Sequence, residues 1–217
     1  MTCRSGTTLS GIVMQTTTTR AIHAYWSGVR GERDVPDRRD IEPAALRQYL
    51  PDLFILEQVS GSAPLFRLAG TRLCALFGRE LRATAFDGLF APEVRDRIRR
   101  SCGAVAAQRR AAVVRASTCG QSSRQAALEI LLLPITSQSS QVDRIFGALT
   151  PLEPVLPLDL PLRPMAQVSF ETVEQDFEPY SEPHPAPLPA TVLRVGAPDF
   201  GQRLRRILNL RVFDGRK

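Results

Sequence analysis

Residues 66–81 read FRLAGTRLCALFGREL and change their hydrophobic rhythm at one glycine. Apolar residues alternate up to Leu68 and then recur at helical spacing from Leu73. Between them, Gly70 supplies a backbone bend and Thr71 is predicted to cap the helix, which Gly78 then ends. The stretch therefore predicts a strand that turns directly into a short helix lying over a sheet.

Strands and one long helix are predicted on either side of this stretch. Pro92 opens the helix, whose apolar stripe is Val94, Ile98, Cys102 and Val105. Apolar runs separated by Ser, Gly, Gln and Pro predict strands at 53–59, 65–69, 111–117, 125–135 and 142–149. The expected fold class is α+β, with a five-stranded antiparallel sheet and helices over one face.

A further amphipathic helix is predicted from about Thr19 to Gly31, ahead of the first strand. Its apolar face carries Ile22, Tyr25 and Trp26. Two large aromatic side chains must cover apolar surface, either the open face of the sheet or a second subunit. Ile22, Tyr25 and Trp26 are therefore candidate interface residues.

Composition divides the chain into three segments. Residues 1–17 are expected to be disordered, with Met14 a plausible alternative start, and residues 18–152 form the domain. Residues 153–217 are expected to form a proline-rich, largely disordered tail with a basic C-terminal end. The tail also carries acidic residues at Glu171, Glu174, Asp176, Glu178 and Glu182. Opposite charges on one tail suggest self-association or partner contact.

The charge does not single out nucleic acid as a partner. The formal net charge is +6, but Lys217 is the only lysine, and so marked an arginine bias is typical of codon usage in a GC-rich genome. The longest apolar run, 130–135, is too short to cross a bilayer. We expect a cytoplasmic protein without a membrane segment.

Catalytic and cofactor motifs are missing from the sequence. It has no glycine-rich phosphate loop, nucleophile elbow or metal-spaced cluster, so no enzyme activity is expected. Haem is disfavoured because His23 and His184 are the only histidines and neither lies in the helical region between Thr71 and Arg110. Flavin photochemistry is disfavoured because Cys74 does not sit in the required motif. The four cysteines are expected to be reduced.

Several motifs resemble a family of single-PAS-domain proteins typical of alphaproteobacteria. They are Tyr25-Trp26 followed by Arg30-Gly31-Glu32-Arg33, the stretch 66–71 with Gly78-Arg79-Glu80-Leu81, the strand LEILLLP at 128–134, and Phe146-Gly147-Ala148. The resemblance covers roughly residues 18–152. It implies a PAS domain that acts in bacterial signal transduction as a sensing or protein-docking module.

Such a domain would hold a cup between its helices and its sheet. We expect the cup to be lined by Phe66, Cys74, Phe77, Phe86, Phe90 and Leu131. Most such residues are ordinary core, although a small apolar ligand could occupy a cavity there. On the other face, Arg67 and Glu129 could pair across strands.

Three functional hypotheses follow. The first is a sensory or regulatory module that contacts a signalling protein or a second copy, gated by a small apolar ligand. The second is a structural adaptor whose cup is filled by its own side chains. The third is a nucleic-acid-associated protein that uses the arginines of the long helix, Arg95, Arg97, Arg99 and Arg100.

Overall fold

The computed structural model describes residues 14–57, 62–137 and 141–173. The disorder expected of residues 1–13, and of the tail from residue 174 onward, lies outside the described residues.

The described chain folds as a six-stranded antiparallel sheet with three α-helices. The helices are α1 (Thr17–Arg30), α2 (Thr71–Phe77) and α3 (Pro92–Gln108). The strands are β1 (Leu53–Glu57), β2 (Leu65–Ala69), β3 (Ala112–Cys119), β4 (Gln125–Ile135), β5 (Arg144–Pro151) and β6 (Gln167–Thr172). Their order across the sheet is β2-β1-β5-β4-β3-β6.

The sheet has six strands where the sequence predicted five. The extra strand, β6, pairs with β3 in a register that runs from Ala112 opposite Thr172 to Ser117 opposite Gln167. It lies in the segment predicted to be the tail: prolines are dense at 151–164 and again from 179, but residues 165–178 between them contain none, so a strand can form there. Structure therefore continues past residue 152.

The N-terminal boundary also differs from the expected one. Met14 is buried, and the backbone N–H groups of Gln15 and Thr16 bond to a side chain of β4. Residues 14–17 are therefore part of the folded domain rather than of a disordered N-terminus.

The junction between β2 and α2 confirms the predicted strand-to-helix turn, with one correction. Gly70, not Thr71, is the N-cap residue, and Thr71 is the first residue of the helix. Gly70 has an ordinary φ of −68°, but a Cβ there would lie 2.2 Å from the carbonyl oxygen of Pro51. Glycine is needed here for close backbone approach, whereas Gly78 adopts the left-handed conformation with φ of 62°.

The sheet is buried on both faces. We call the face under α2 and α3 the inner face and the face under α1 the outer face. On β4, Ile130 and Leu132 belong to the inner cluster, while Leu131 and Leu133 belong to the outer one. Because successive residues of a strand point to opposite faces, a run that is apolar at every position predicts a strand covered on both sides.

Candidate functional site

Four phenylalanine rings fill the cup on the inner face. Phe54 lies on β1 and Phe66 on β2, and Phe86 and Phe90 lie in and after a short 3-10 turn that precedes α3. All four are at most 1% exposed. The ring of Phe86 lies 5.6 Å from those of Phe54 and Phe66 and 5.5 Å from that of Phe90, in tilted or edge-to-face contacts. The protein's own side chains thus occupy the centre of the cup.

Gly147 on β5 makes room for this cluster. A Cβ at Gly147 would lie 2.5 Å from Cζ of Phe54 and 2.2 Å from the carbonyl oxygen of Leu131. The absence of a side chain at Gly147 leaves the space that the Phe54 ring occupies next to β5. This glycine therefore shapes the floor of the cup.

Two further predicted cup residues, Phe77 and Cys74, both pack in or against the inner cluster but differ in burial. Phe77, at the end of α2, is buried in the inner cluster. Cys74 is only half-buried, and its thiol lies 3.7 Å from Oε1 of Glu80. Cys102 is fully buried on α3, and burial, together with the nearby charge of Asp87, raises the pKa of its thiol to about 12.

The placement of Leu131 in the cup was wrong. Leu131 lies on the outer face with Ile22 and Trp26, and the inner positions of β4 are those of Ile130 and Leu132. The run 130–133 is apolar throughout, so its alternation gave no indication of which residues face the helices.

The outer face is covered by α1. Ile22 is fully buried and Trp26 is 3% exposed, both in the outer cluster. The Trp26 indole Nε1 donates a hydrogen bond to the carbonyl oxygen of Pro134 at 3.1 Å. Tyr25 is half-buried, and its hydroxyl accepts a hydrogen bond from the backbone N–H of Glu42 at 2.7 Å. Of the two interpretations left open by the sequence, intramolecular packing on the sheet accounts for Ile22 and Trp26.

A buried carboxylate anchors the start of α1. Glu129 on β4 is fully buried and accepts hydrogen bonds from the backbone N–H groups of Gln15 at 2.9 Å and Thr16 at 3.0 Å, and from the Thr19 hydroxyl at 2.6 Å. Negative charge is favourable at a helix N-terminus, where free N–H groups point outward. Glu129 therefore binds the two residues that lead into α1 and one hydroxyl of its first turn, and so fixes the start of the helix to β4.

Arg115 links this anchor to the added strand. Its guanidinium lies 3.7 Å from Glu129 and 3.2 Å from Glu171, next to the end of β6. The expected pair of Glu129 with Arg67 is wrong, since Arg67 lies 3.7 Å from Glu57 instead. Arg115 is directly opposite Glu129 on the neighbouring strand, a pairing that only the register reveals.

His23 is a buried residue of α1, over the outer face of the sheet and away from the cup. Its ring is 6.0 Å from that of Trp26 and tilted by 34°. Burial, with a smaller effect of the Arg30 charge, lowers the His23 pKa from 6.5 to about 4. The imidazole is therefore neutral at physiological pH.

Within the described ranges the structure shows neither a cluster of metal ligands nor a membrane-spanning helix. Residues 14–57, 62–137 and 141–173 contain no group of three or more His, Cys, Asp or Glu side chains placed to hold a metal ion. In the same ranges no helix has the length and apolar character needed to cross a bilayer.

A sheet with helices over one face, an aromatic cup between them and a covering N-terminal helix defines a PAS-like α+β domain. A family model described as PAS domain matches residues 14–150, and the chain belongs to this family. Family membership indicates a sensory or signalling module. No curated protein and no solved structure matches the chain. The matched range begins at the buried Met14 and ends before β6.

Proposed function

We propose that this chain is a non-catalytic regulatory PAS module that acts through protein contacts, with its cup filled by its own side chains. The observation that carries the proposal is the four-ring cluster on the inner face. Aromatic rings in mutual contact, each at most 1% exposed, already supply the packing that a bound molecule would otherwise provide.

Exposed apolar residues on the sheet edge support a function that acts through contact with another protein. Ile22 and Trp26 are buried against the outer face of the sheet, so a partner would contact other parts of the domain. Edge strand β2 exposes Leu65 and Leu68, at 37% and 46%. Apolar side chains on an edge strand are a common element of protein interfaces.

A small amphipathic ligand is the second candidate, and one cavity favours it. A pocket of about 400 Å³ lies beside α2, outside the phenylalanine cluster. Leu76, Val155 and Leu160 line it together with Arg72, which gives the pocket both apolar and cationic groups. A molecule bound there would press on α2 and could move the cluster.

Nucleic acid is the less favoured partner, because the arginines of α3 are partly engaged within the chain. Arg95 Nε donates a hydrogen bond to the carbonyl oxygen of Phe90 at 3.0 Å. Arg99 pairs with Asp87 at 2.6 Å and with Asp96 at 3.1 Å. A phosphate-binding face is more effective when its cations are available to the ligand.

Photo-crosslinking in the producing cell tests the proposed function. A photoreactive amino acid is placed at Leu68 in one variant and, as a matched control, at buried Leu132 in another. We expect discrete protein adducts of defined mass from position 68 and none from position 132. Absence of adducts from position 68 and from a further exposed site, Leu158, would contradict a contact-based function.

A further inference from the structure

The pocket of about 400 Å³ beside α2 adjoins a second cavity of about 460 Å³. The second cavity is lined by residues 15–18 at the start of α1, by Asp52 and by the end of β5. Arg72, Pro151 and Leu152 belong to both linings, so the two cavities form one cleft. We call the first cavity the apolar chamber and the second the polar chamber. Each has the size of a small-ligand site.

The polar chamber contains a buried carboxylate with one unused acceptor. Asp52 directly precedes β1, and its side chain is 3% exposed. Its Oδ2 pairs with the guanidinium of Arg72, whereas its Oδ1 has no hydrogen-bond partner among the described residues. A buried acceptor without a donor is unfavourable. Asp52 is therefore suited to a ligand that brings an N–H or O–H group into the chamber.

Donors for an anionic group line the same chamber. The side chain of Arg72 is 54% exposed, and its pair with Asp52 engages only one of its terminal nitrogens. Thr17 and Thr18 are the first two residues of α1, so their backbone N–H groups have no carbonyl partner within the helix. Glu129 binds the N–H groups of the two residues before them. A carboxylate in the polar chamber would thus meet donors from Arg72 and from the start of α1.

The balance of charge in the cleft selects a zwitterion. Asp52 and Arg72 carry opposite charges, so a ligand with a net charge would leave one of the two uncompensated. A ligand with one ammonium and one carboxylate brings a donor to Asp52 and an acceptor to Arg72. These are the two charged groups that every α-amino acid carries.

The apolar chamber defines the rest of the ligand. Leu76 of α2 lies on one side of it, and Val155 and Leu160 belong to the segment after β5. This segment is held against α2, because the backbone N–H of Leu162 donates to the carbonyl oxygen of Leu76 at 2.8 Å. The exposed carboxylate of Glu153 in the same lining disfavours an acidic ligand side chain. The chamber therefore fits an aliphatic or aromatic group.

We propose that the cleft binds a free apolar α-amino acid. The ammonium would contact Oδ1 of Asp52, the carboxylate would contact Arg72 and the start of α1, and the side chain would lie in the apolar chamber. The inference rests on the ligand pocket given as the second candidate of the proposed function, and it leaves the phenylalanine cluster filled. A bound amino acid would contact α1, α2 and the end of β5 together, and so favour one arrangement of these elements.

Calorimetric titration of the full chain with L-leucine tests the proposal. Three analogues each lack one group: 3-methylbutylamine has no carboxylate, 4-methylpentanoate has no ammonium, and glycine has no side chain. We expect saturable one-to-one binding of leucine and at least about tenfold weaker binding of each analogue, because each loses one set of contacts. Leucine is added to the purified chain, since a cleft with a half-exposed Arg72 exchanges its ligand with solvent.

The variant Asp52→Asn keeps the shape of the side chain and removes its charge. It should weaken leucine binding at least about tenfold and strengthen the binding of 4-methylpentanoate, because Arg72 is then released from its internal pair. The matched control is Asp87→Asn, since Asp87 is 4% exposed and pairs with Arg99 outside the cleft. The control should leave both affinities unchanged, and thermal unfolding should show that each variant is folded.

Three results would each overturn the proposal: no binding of leucine, valine or phenylalanine at about 10 mM, equal affinities of leucine and its analogues, or equal effects of the two Asp→Asn variants. The analogue series uses the native chain, so it decides the matter even where Asp52→Asn does not fold. Absence of amino-acid binding with persisting protein crosslinks from position 68 would overturn only this inference. Amino-acid binding without such crosslinks would contradict the contact function instead.

Discussion

The carboxylate of Glu129 on β4 lies 2.6 Å from the hydroxyl of Thr19 on α1, across 110 residues of sequence. The same carboxylate accepts hydrogen bonds from the backbone N–H groups of Gln15 and Thr16. A fully buried charge is tolerated only when it is paired and hydrogen-bonded, and here the helix start supplies the donors. Glu129 therefore fixes the start of α1, while the packing of Ile22 and Trp26 holds the rest of the helix on the outer face.

Replacing Glu129 with alanine should detach the first turn of α1. The change leaves two backbone donors and the Arg115 charge without their buried acceptor, so we expect a loss of about 3 kcal/mol in the free energy of unfolding. Urea unfolding measures the loss, and hydrogen exchange at residues 15–20 should rise more than exchange in β4. Glu32→Gln, an exposed change, is the control. An equal effect of the two variants would count against the anchoring role.

Replacing Phe86 with alanine should open a cavity in the middle of the cup. Its ring contacts three other phenylalanines, so truncation should cost about 3–5 kcal/mol in the free energy of unfolding. Phe86→Leu, which keeps much of the volume, should cost about 1.5 kcal/mol or less. A small apolar probe such as benzene should bind the alanine variant and raise its melting temperature, while leaving the native chain unaffected. Stabilisation of the native chain by the same probe would show that the cup is not filled.

Two glycine-to-alanine changes should shift the free energy of unfolding in opposite directions. At Gly147 the new Cβ would lie 2.2 Å from the Leu131 carbonyl oxygen and 2.5 Å from the Phe54 ring, so we expect a loss of at least about 2 kcal/mol. At Gly103, inside α3, nothing lies within 4 Å of the added Cβ. Alanine favours a helix over glycine by about 0.5–1 kcal/mol, so Gly103→Ala should stabilise the protein. Chemical denaturation of both variants measures the two free energies of unfolding, and a change of the same sign in both would contradict the prediction.

Stability should fall on acidification because of His23. Its pKa is about 4 in the folded chain and 6.5 in the unfolded one, so between these values the unfolded state binds more protons. The His23 contribution is fully present above pH 6.5 and decreases by about 3 kcal/mol as the pH falls to 4. Denaturation from pH 7 to pH 4 should therefore show a flatter profile for His23→Gln than for the native chain. Parallel profiles would contradict the buried, neutral imidazole.

The fold could be predicted largely from local sequence signals. The rhythm change at Gly70, the glycine that ends α2 and the apolar stripe of α3 each depend on residues close together in the chain. The burial of Phe66, Phe86 and Phe90 followed from the same patterns. A hydroxyl side chain is favoured at an N-cap, which points to Thr71, but the N-cap position is Gly70, where the close approach of the Pro51 carbonyl oxygen leaves no room for a Cβ.

What the sequence did not reveal depends on pairing between distant segments. Glu129 looked like a surface residue because its donors come from Gln15, Thr16 and Thr19, far away in the chain. Leu131 was placed on the wrong face because both faces of the sheet are covered, which removes the alternation. Strand β6 could not be recognised because prolines lie close on both sides of it, although none lies within it.

Native mass spectrometry of the full chain, purified without denaturation from the cells that produce it, tests the central claim most directly. A PAS module whose cup is filled by Phe54, Phe66, Phe86 and Phe90 should carry only the mass of its polypeptide, as single or paired copies. A stoichiometric small molecule that is released on unfolding, and whose retention is lost in Phe86→Ala, would contradict this account and identify the cup as a ligand site.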